Sequence, residues 1–406
     1  MKRILLIGGV LLVALFLIVA SSGEEKSATE EIQEVSVEEN SDSKVASHCT
    51  PSSWQRIASP VKNVAGGHLS PLQIAADPSV FYENGTYRMW FTNTNSKDQV
   101  GPAYAESKDG KTWTIWKNKN NPDPLMDLAV VPAQWDAPGI ETVNVMKAPS
   151  GEYRMYYSGN QPPSGSFTFS IGLATSDDGV TWKRYGNGPV FESKNNWEKP
   201  TCENGRCVNG GVLEPSVIYD ADEKLYKMWY AGFGTKNEIL AFRIGYATSK
   251  DGISWTRRAE PVLDRGGSGA WDEILVSHVN VIEDPVEGYH MFYFGQKASD
   301  YKDGVEIQRG SIGHAYSSDG ISWVRDGKNP VIKYGSDWGK WSVGGPSAIY
   351  RDGKLQVFYF GNQDSGLASN IGLVEAACSQ ESAFSPHNLI DQAASVADGV
   401  SGFLLR

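Results

Sequence analysis

The chain has 406 residues, 40% of them apolar and 21% charged, with 43 Gly, 13 Trp, 18 Tyr and 14 Phe. That apolar share is ample for a packed core and excludes a wholly disordered chain. The formal charge of −11 argues against a nucleic-acid binder held by phosphate contacts, so no nucleic-acid partner is expected.

At the N-terminus, Lys2 and Arg3 precede an unbroken apolar run from Ile4 to Ala20, followed by Ser21-Ser22-Gly23. A basic start, an apolar stretch and small residues make a secretory signal. The run is also nearly long enough to span a bilayer, so residues 1–21 read as either a signal peptide or an uncleaved membrane anchor. In both cases the rest of the chain is exported, secreted or held on the outer face of the cytoplasmic membrane with a possible tether through residues 4–20. Residues 22–47 carry eight acids against Lys26 and Lys44 and no aromatic residue, the composition of a disordered, solvated linker.

From residue 48 to 378 one pattern recurs. Ser107-Lys108-Asp109-Gly110-Lys111-Thr112-Trp113 reappears in segments ending at Trp182, Trp255 and Trp323. Ahead of the later copies lie Ile171-Gly172, Ile244-Gly245 and Ile312-Gly313. Further ahead come aromatic strands such as Tyr87-Arg88-Met89-Trp90-Phe91 and Tyr153-Arg154-Met155-Tyr156-Tyr157, and before them short strands such as Asp77-Pro78-Ser79-Val80. Asp-Gly between strands signals a hairpin, and four strands per repeat at this period describe blades of a β-propeller. A fifth repeat runs from Gly345-Pro346-Ser347 to Ile371-Gly372-Leu373 and lacks its Trp strand. Ser52-Ser53-Trp54-Gln55-Arg56 supplies the missing match. The predicted fold is all-β, a single five-bladed propeller whose N-terminal strand completes blade five and closes the ring, removing a sheet edge.

The cysteines fit that arrangement. Cys49 precedes the borrowed strand and Cys378 follows the third strand of blade five, so a disulfide between them is predicted, as export permits. Cys202 and Cys207, in Cys-Glu-Asn-Gly-Arg-Cys, read as a second, local disulfide pinning a loop. A structural metal is the alternative, with no His or second Cys pair nearby to support it. Residues 379–406 form a C-terminal tail in which Leu389 to Val400 has roughly helical spacing; no role is assigned to it.

The first strand of a propeller blade lines the central channel. Aligning the repeats places Asp77, Thr142, Glu214, His278 and Gly345 around one mouth, with Glu141 one place before Thr142. Carboxylates converging on a pocket push their pKa values apart, so one can donate a proton while another stays ionised, as glycoside hydrolysis requires. Asp77, Glu214 and Glu141 are therefore the candidate catalytic residues; capping of backbone amides is the bland alternative for the first two. His278 is a candidate substrate-binding residue or a buried, hydrogen-bonded histidine. Trp135-Asp136 and Trp271-Asp272, each seven residues ahead of a mouth position, could bind sugar at the rim or seal gaps between blades. Asp109, Asp178, Asp251 and Asp319 belong to the repeated turns and read as structural. Asn144 and Asn280 align with Ser79, Ser216 and Ser347, and packing accounts for them. No cofactor or metal site is predicted, and a channel cation is left open.

Together these features resemble the five-bladed propeller glycosidases: arabinanases and β-xylosidases of family 43, invertases, levansucrases and the related mannoside phosphorylases. The resemblance spans about Cys49 to Cys378 and rests on Ala76-Asp77-Pro78-Ser79-Val80, Glu214-Pro215-Ser216-Val217 and segments such as Ile171 to Trp182. It implies a blade-one aspartate acting as base or nucleophile, here Asp77. It implies an acidic residue opening blade three that tunes a pKa or stabilises the transition state, here Glu214. The family's general acid is usually a glutamate of blade three or four. With His278 at the blade-four position, that acid falls to Glu214, Glu141 or Glu273. The expected function is that of an exported, monomeric glycoside hydrolase acting on an oligo- or polysaccharide. The alternative is a non-catalytic carbohydrate-binding or interaction propeller on the cell surface.

Overall fold

A computed structural model of the chain describes residues 49–58, 74–94, 100–116, 126, 128, 135–136, 139–160, 168–203, 206–208, 210–234, 241–297, 301–302, 305–306, 309–335, 338–363 and 368–380. The expected signal or anchor, the acidic linker and the tail beyond Gln380 lie outside them. Among the described residues there is strand and turn but no α-helix.

Two short strands come first, β1 (Cys49–Pro51) and β2 (Gln55–Ala58). Unit one is β3 (Ala75–Glu83), β4 (Thr86–Thr94), β5 (Val100–Ser107) and β6 (Thr114–Ile115). Unit two is β7 (Ile140–Lys147), β8 (Tyr153–Asn160), β9 (Thr168–Ser176) and β10 (Lys183–Arg184). The small pair β11 (Thr201–Glu203) and β12 (Arg206–Val208) precedes unit three: β13 (Gly210–Asp220), β14 (Leu225–Gly234), β15 (Arg243–Ser249) and β16 (Thr256–Arg257). Unit four is β17 (Leu275–Glu283), β18 (Tyr289–Gln296), β21 (Ser311–Ser317) and β22 (Val324–Arg325), with β19 (Tyr301–Lys302) and β20 (Val305–Glu306) pairing in its connection. Unit five has β23 (Ser342–Arg351), β24 (Lys354–Asn362) and β25 (Ser369–Gln380). Each unit is an antiparallel meander, and a short parallel contact between β9 and β13 joins units two and three.

The repeated residues explain the repeated geometry. Met89, Met155, Met228 and Met291 sit at the same place on the second strand and are fully buried between units. The Ile-Gly of the third strand is required because a tyrosine ring from the second strand lies flat across it. A Cβ at Gly172 would overlap Tyr157, and one at Gly245 would overlap Tyr230. The turn aspartates are structural, as their repetition implies: Asp109 Oδ1 accepts the Lys111 and Thr112 N–H groups at 2.8 Å, and Asp178, Asp251 and Asp319 repeat the contact. Three of these turns are also gripped by the unit before them. Trp90 Nε1 donates to the Gly179 carbonyl at 2.8 Å, Tyr156 Oη to that of Gly252 at 2.9 Å, and Trp229 Nε1 to that of Gly320 at 2.7 Å.

Unit five takes its outer strand from the N-terminus. β25 pairs with β24 on one side and with β1 and β2 on the other. A Cys49–Cys378 disulfide fastens this seam, with Cα atoms 5.2 Å apart. The Cys49 N–H donates to Asp284 of unit four at 2.7 Å, tying the seam to its neighbour. Register sets Cys202 opposite Cys207 across β11 and β12, while their side chains lie outside the described set.

The five inner strands are linked in a circuit. Val145 N–H donates to Ser79 Oγ, Val217 N–H to Asn144 Oδ1, Val281 N–H to Ser216 Oγ, Ala348 N–H to Asn280 Oδ1 and Val80 N–H to Ser347 Oγ, all at 2.8–2.9 Å. Packing is thus only part of what Asn144 and Asn280 do. They and the three serines are the polar stitches between successive inner strands, satisfying backbone donors that no sheet partner reaches.

Candidate active site

Each inner strand carries a bulge near its start. The pairing register shifts between Ala76 and Ser79, Glu141 and Asn144, Leu213 and Ser216, Ser277 and Asn280, and Gly344 and Ser347. Within each bulge one residue adopts the left-handed region: Asp77 (φ 49°), Thr142 (49°), Glu214 (54°), His278 (42°) and Gly345 (54°). Only glycine takes this conformation without strain; for the other four it costs about 1 kcal/mol or more each. Bulges re-aim side chains, and here they bring Asp77, Thr142, Glu214 and His278 against one cavity. That cavity is about 30 Å³, room for about two waters and not for a sugar ring.

His278 stands between the two leading carboxylates. Its Nε2 lies 3.4 Å from Asp77 Oδ1 and its Nδ1 lies 3.1 Å from Glu214 Oε1. The His278 backbone N–H also donates to Glu214 Oε2 at 2.6 Å. The neighbouring units explain why. Glu214 and Thr142 have their own N–H groups held by hydroxyls of the preceding unit's second strand, Ser158 at 2.8 Å and Thr92 at 3.1 Å. The equivalent residue facing His278 is Ala231, which has no hydroxyl, and the Glu214 carboxylate takes its place. Phe294 and Phe360, at the same register in units four and five, close edge-on around the imidazole at 5.7 and 6.1 Å.

The electrostatics favour retained protons. Burial, strongest of the effects on Glu214, pushes its carboxyl above the ordinary value, with the Asp77 charge adding to it and His278 opposing. Burial works against a charged His278, but the carboxylates of Glu214, Asp77 and Glu141 outweigh it and raise its pKa to about 9. Glu141 therefore belongs to this electrostatic group, although it lies one residue ahead of the bulge. Glu273 does not: it lines a separate cleft of about 360 Å³ with Asp264 and Arg265, and accepts the Gly269 N–H.

A curated relative, an uncharacterised protein of Mycobacterium tuberculosis strain H37Rv, is 25% identical over 234 residues, 56% of this chain and 69% of its own. No protein-family model matches the chain. Among solved structures, a thermostable family-43 glycoside hydrolase superposes with a TM-score of 0.58 at 17% identity, covering 80% of this chain and 98% of the other. A β-1,2-mannobiose phosphorylase from Listeria innocua, in complex with β-1,2-mannobiose, gives 0.54 at 15% identity over 75% of this chain and 89% of its own. The fold is that of the glycoside hydrolase propellers.

In this propeller the rim reading of two Trp-Asp pairs is corrected. Asp136 is buried and accepts hydrogen bonds from Tyr157 and Arg184, both at 2.8 Å, while Trp135 stacks on Tyr157. Asp272 does the same with Tyr293 at 3.1 Å and Arg325 at 2.9 Å, with Trp271 against the Tyr293 ring. Both carboxylates are committed inside their own sheets, tying the loop ahead of the inner strand to the outer strand. Glu198, Tyr230 and Arg257 form a third copy. With both carboxylates spent in this way, a sugar would find none to bind there. Ser158, Thr92, Phe294 and Phe360 also shape the site without belonging to any motif of the mouth itself. Their signal was present, since all follow the aromatic strand at one register, but it becomes meaningful only once that register is known to face the bulge.

Among the described residues, Cys49, Asp284 and His290 are grouped closely enough to suggest a metal. The Cys49 sulfur is spent in the disulfide, and Asp284 is occupied by His290 at 2.8 Å. This cluster belongs to the seam.

Proposed function

We propose that the protein is an exported, monomeric glycoside hydrolase-like enzyme cleaving oligo- or polysaccharide, on a five-bladed propeller closed by its N-terminal strands. The circuit of inner-strand hydrogen bonds and the pairing of β1 and β2 with β25 support the closed ring. The observation that carries the function is the convergence of Asp77, His278 and Glu214 at equivalent strained positions of a fold whose solved neighbours are glycoside hydrolases. Glu214, its carboxyl raised by burial, is the general acid; Asp77 is the base or nucleophile; Glu141 is the alternate acid. His278 orients both carboxylates and neutralises part of their charge.

A hydrolysis screen of the intact protein against aryl glycosides and polysaccharides tests this. Asp77→Asn and Glu214→Gln are each expected to lower turnover by about 10²–10⁴-fold without loss of fold; unchanged turnover in Asp77→Asn would remove it from the mechanism. A second reading, a carbohydrate-binding propeller without turnover, is favoured by one observation: the cavity beside His278 does not admit a sugar ring, so a sugar held elsewhere on the surface would not reach Asp77 and Glu214. Sugar binding with no hydrolysis, unaffected by Asp77→Asn, would select it.

A further inference from the structure

Among the described residues, Arg309 differs from every other cation that packs on an aromatic ring. Its guanidinium lies 4.5 Å from the Trp341 ring centre and 6.0 Å from that of Tyr334. The other stacked cations each have a carboxylate within reach. Arg88 and Lys147 pair with Glu83, Arg154 with Glu152, Lys227 with Asp220, Arg257 with Glu198, Arg325 with Asp272, and Arg351 with Asp352. Among the described residues Arg309 has no acidic partner, and its Nε is buried with no hydrogen-bond acceptor. A stacking contact returns about 0.5–2 kcal/mol, less than a buried guanidinium N–H without an acceptor loses.

Its position is informative. Arg309 precedes β21, whose start lies at the end of the sheet where the inner strands begin. Gly310 is tied to the start of β23, its carbonyl accepting from the Val343 N–H at 3.1 Å and its N–H donating to the Ser342 hydroxyl at 3.2 Å, and it packs directly on Phe294. Phe294 in turn is the edge-on neighbour of His278. Arg309 thus stands on the mouth side, one aromatic layer from the acidic centre.

We infer that Arg309, held flat by Trp341, recognises an oxyanion brought to the mouth, either the carboxylate of a uronic acid or a phosphate. The planar fork of a guanidinium matches both groups, and an aromatic platform beneath it suits an adjoining sugar face. The site keeps a negatively charged substituent away from Asp77, Glu141 and Glu214, which would repel it. This inference rests on the carbohydrate-active reading above.

Calorimetric titration of the intact protein with glucuronic and galacturonic acids, glucose, galactose and inorganic phosphate tests it, beside Arg309→Gln and Arg309→Lys. In the unaltered protein the uronic acids, or phosphate, are expected to bind at least about tenfold more tightly than the neutral sugars. Arg309→Gln should abolish that preference, and Arg309→Lys should keep part of it, with melting temperatures verifying that both variants fold. A preference for uronic acids assigns the oxyanion to the sugar, and one for phosphate assigns it to a co-substrate. Neutral sugars bound as tightly as uronic acids and phosphate, or an anion preference that survives Arg309→Gln, overturns the inference while leaving the glycosidase reading intact. Binding of no sugar or anion at all overturns the inference, and the hydrolysis screen then decides the glycosidase reading by itself.

Discussion

Asp77 and Glu214 each hold one nitrogen of the same imidazole, at 3.4 and 3.1 Å across the His278 ring. Two buried carboxylates that close would repel strongly; a cation between them makes the arrangement tenable. It also fixes how far apart they can stand, and that spacing determines which glycosidic geometry a carboxylate pair can serve. His278 is thus a positioning residue for both.

That role has a pH signature. The pKa of His278 is raised from an ordinary 6.5 to about 9 in the folded protein. The folded state therefore binds the proton more tightly than the unfolded one. The resulting stability is fully present below pH 6.5 and is lost as pH rises through about 9. Glu214, also raised, acts in the same direction at lower pH. His278→Asn is expected to flatten the alkaline part of the stability profile and to cost about 3 kcal/mol near neutrality, because two buried carboxylates lose their cation. Urea titrations at several pH values measure both effects.

Gly345 is the fifth mouth position, and a Cβ there would come within 2.8 Å of Asp77 Oδ1 and of the Phe360 ring. Gly345→Ala should shift Asp77 and lower turnover by about 10²-fold, since an ångström of misplacement is enough for that. Gly353→Ala is the matched control: its φ is 73°, but nothing lies within 4 Å of the added carbon. Both variants should lose about 1 kcal/mol of stability from backbone strain, and only Gly345→Ala should lose activity.

The seam disulfide closes a loop of 329 residues. Replacing Cys49 and Cys378 together by Ser is expected to lower unfolding free energy by about 2–5 kcal/mol. Reductant should have little further effect on the stability of the double variant, whereas it should bring the unaltered protein down towards the same value.

The sheet architecture was legible in the sequence because it repeats. Met89 and its counterparts, the Ile-Gly pairs and the Asp-Gly turns announce themselves by recurrence. The borrowed strand was legible because Trp54 and Arg56 mimic Trp255 and Arg257. The mouth residues could be aligned, but the bulge that turns them inward could not be read, since Asp, Thr, Glu and His have no common preference for a left-handed backbone. Trp135-Asp136 and Trp271-Asp272 were ambiguous for a related reason. An aromatic next to an acid serves a sugar or a buried arginine equally well, and Arg184 and Arg325 lie some fifty residues further along. Arg309 carries no motif at all; its distinction is that, among the described residues, it lacks the acid its counterparts possess.

The sharing of one sheet between the two ends of the domain orders events in time. As the chain emerges, β1 and β2 have no partner until β25 arrives, and Val80 waits for Ser347, 267 positions later. Contacts so distant along the chain form slowly and leave an open strand edge during the wait. Oxidation of Cys49 needs Cys378, on that same last strand, to have arrived, so the disulfide works as a latch thrown late, fastening the edge that closes last.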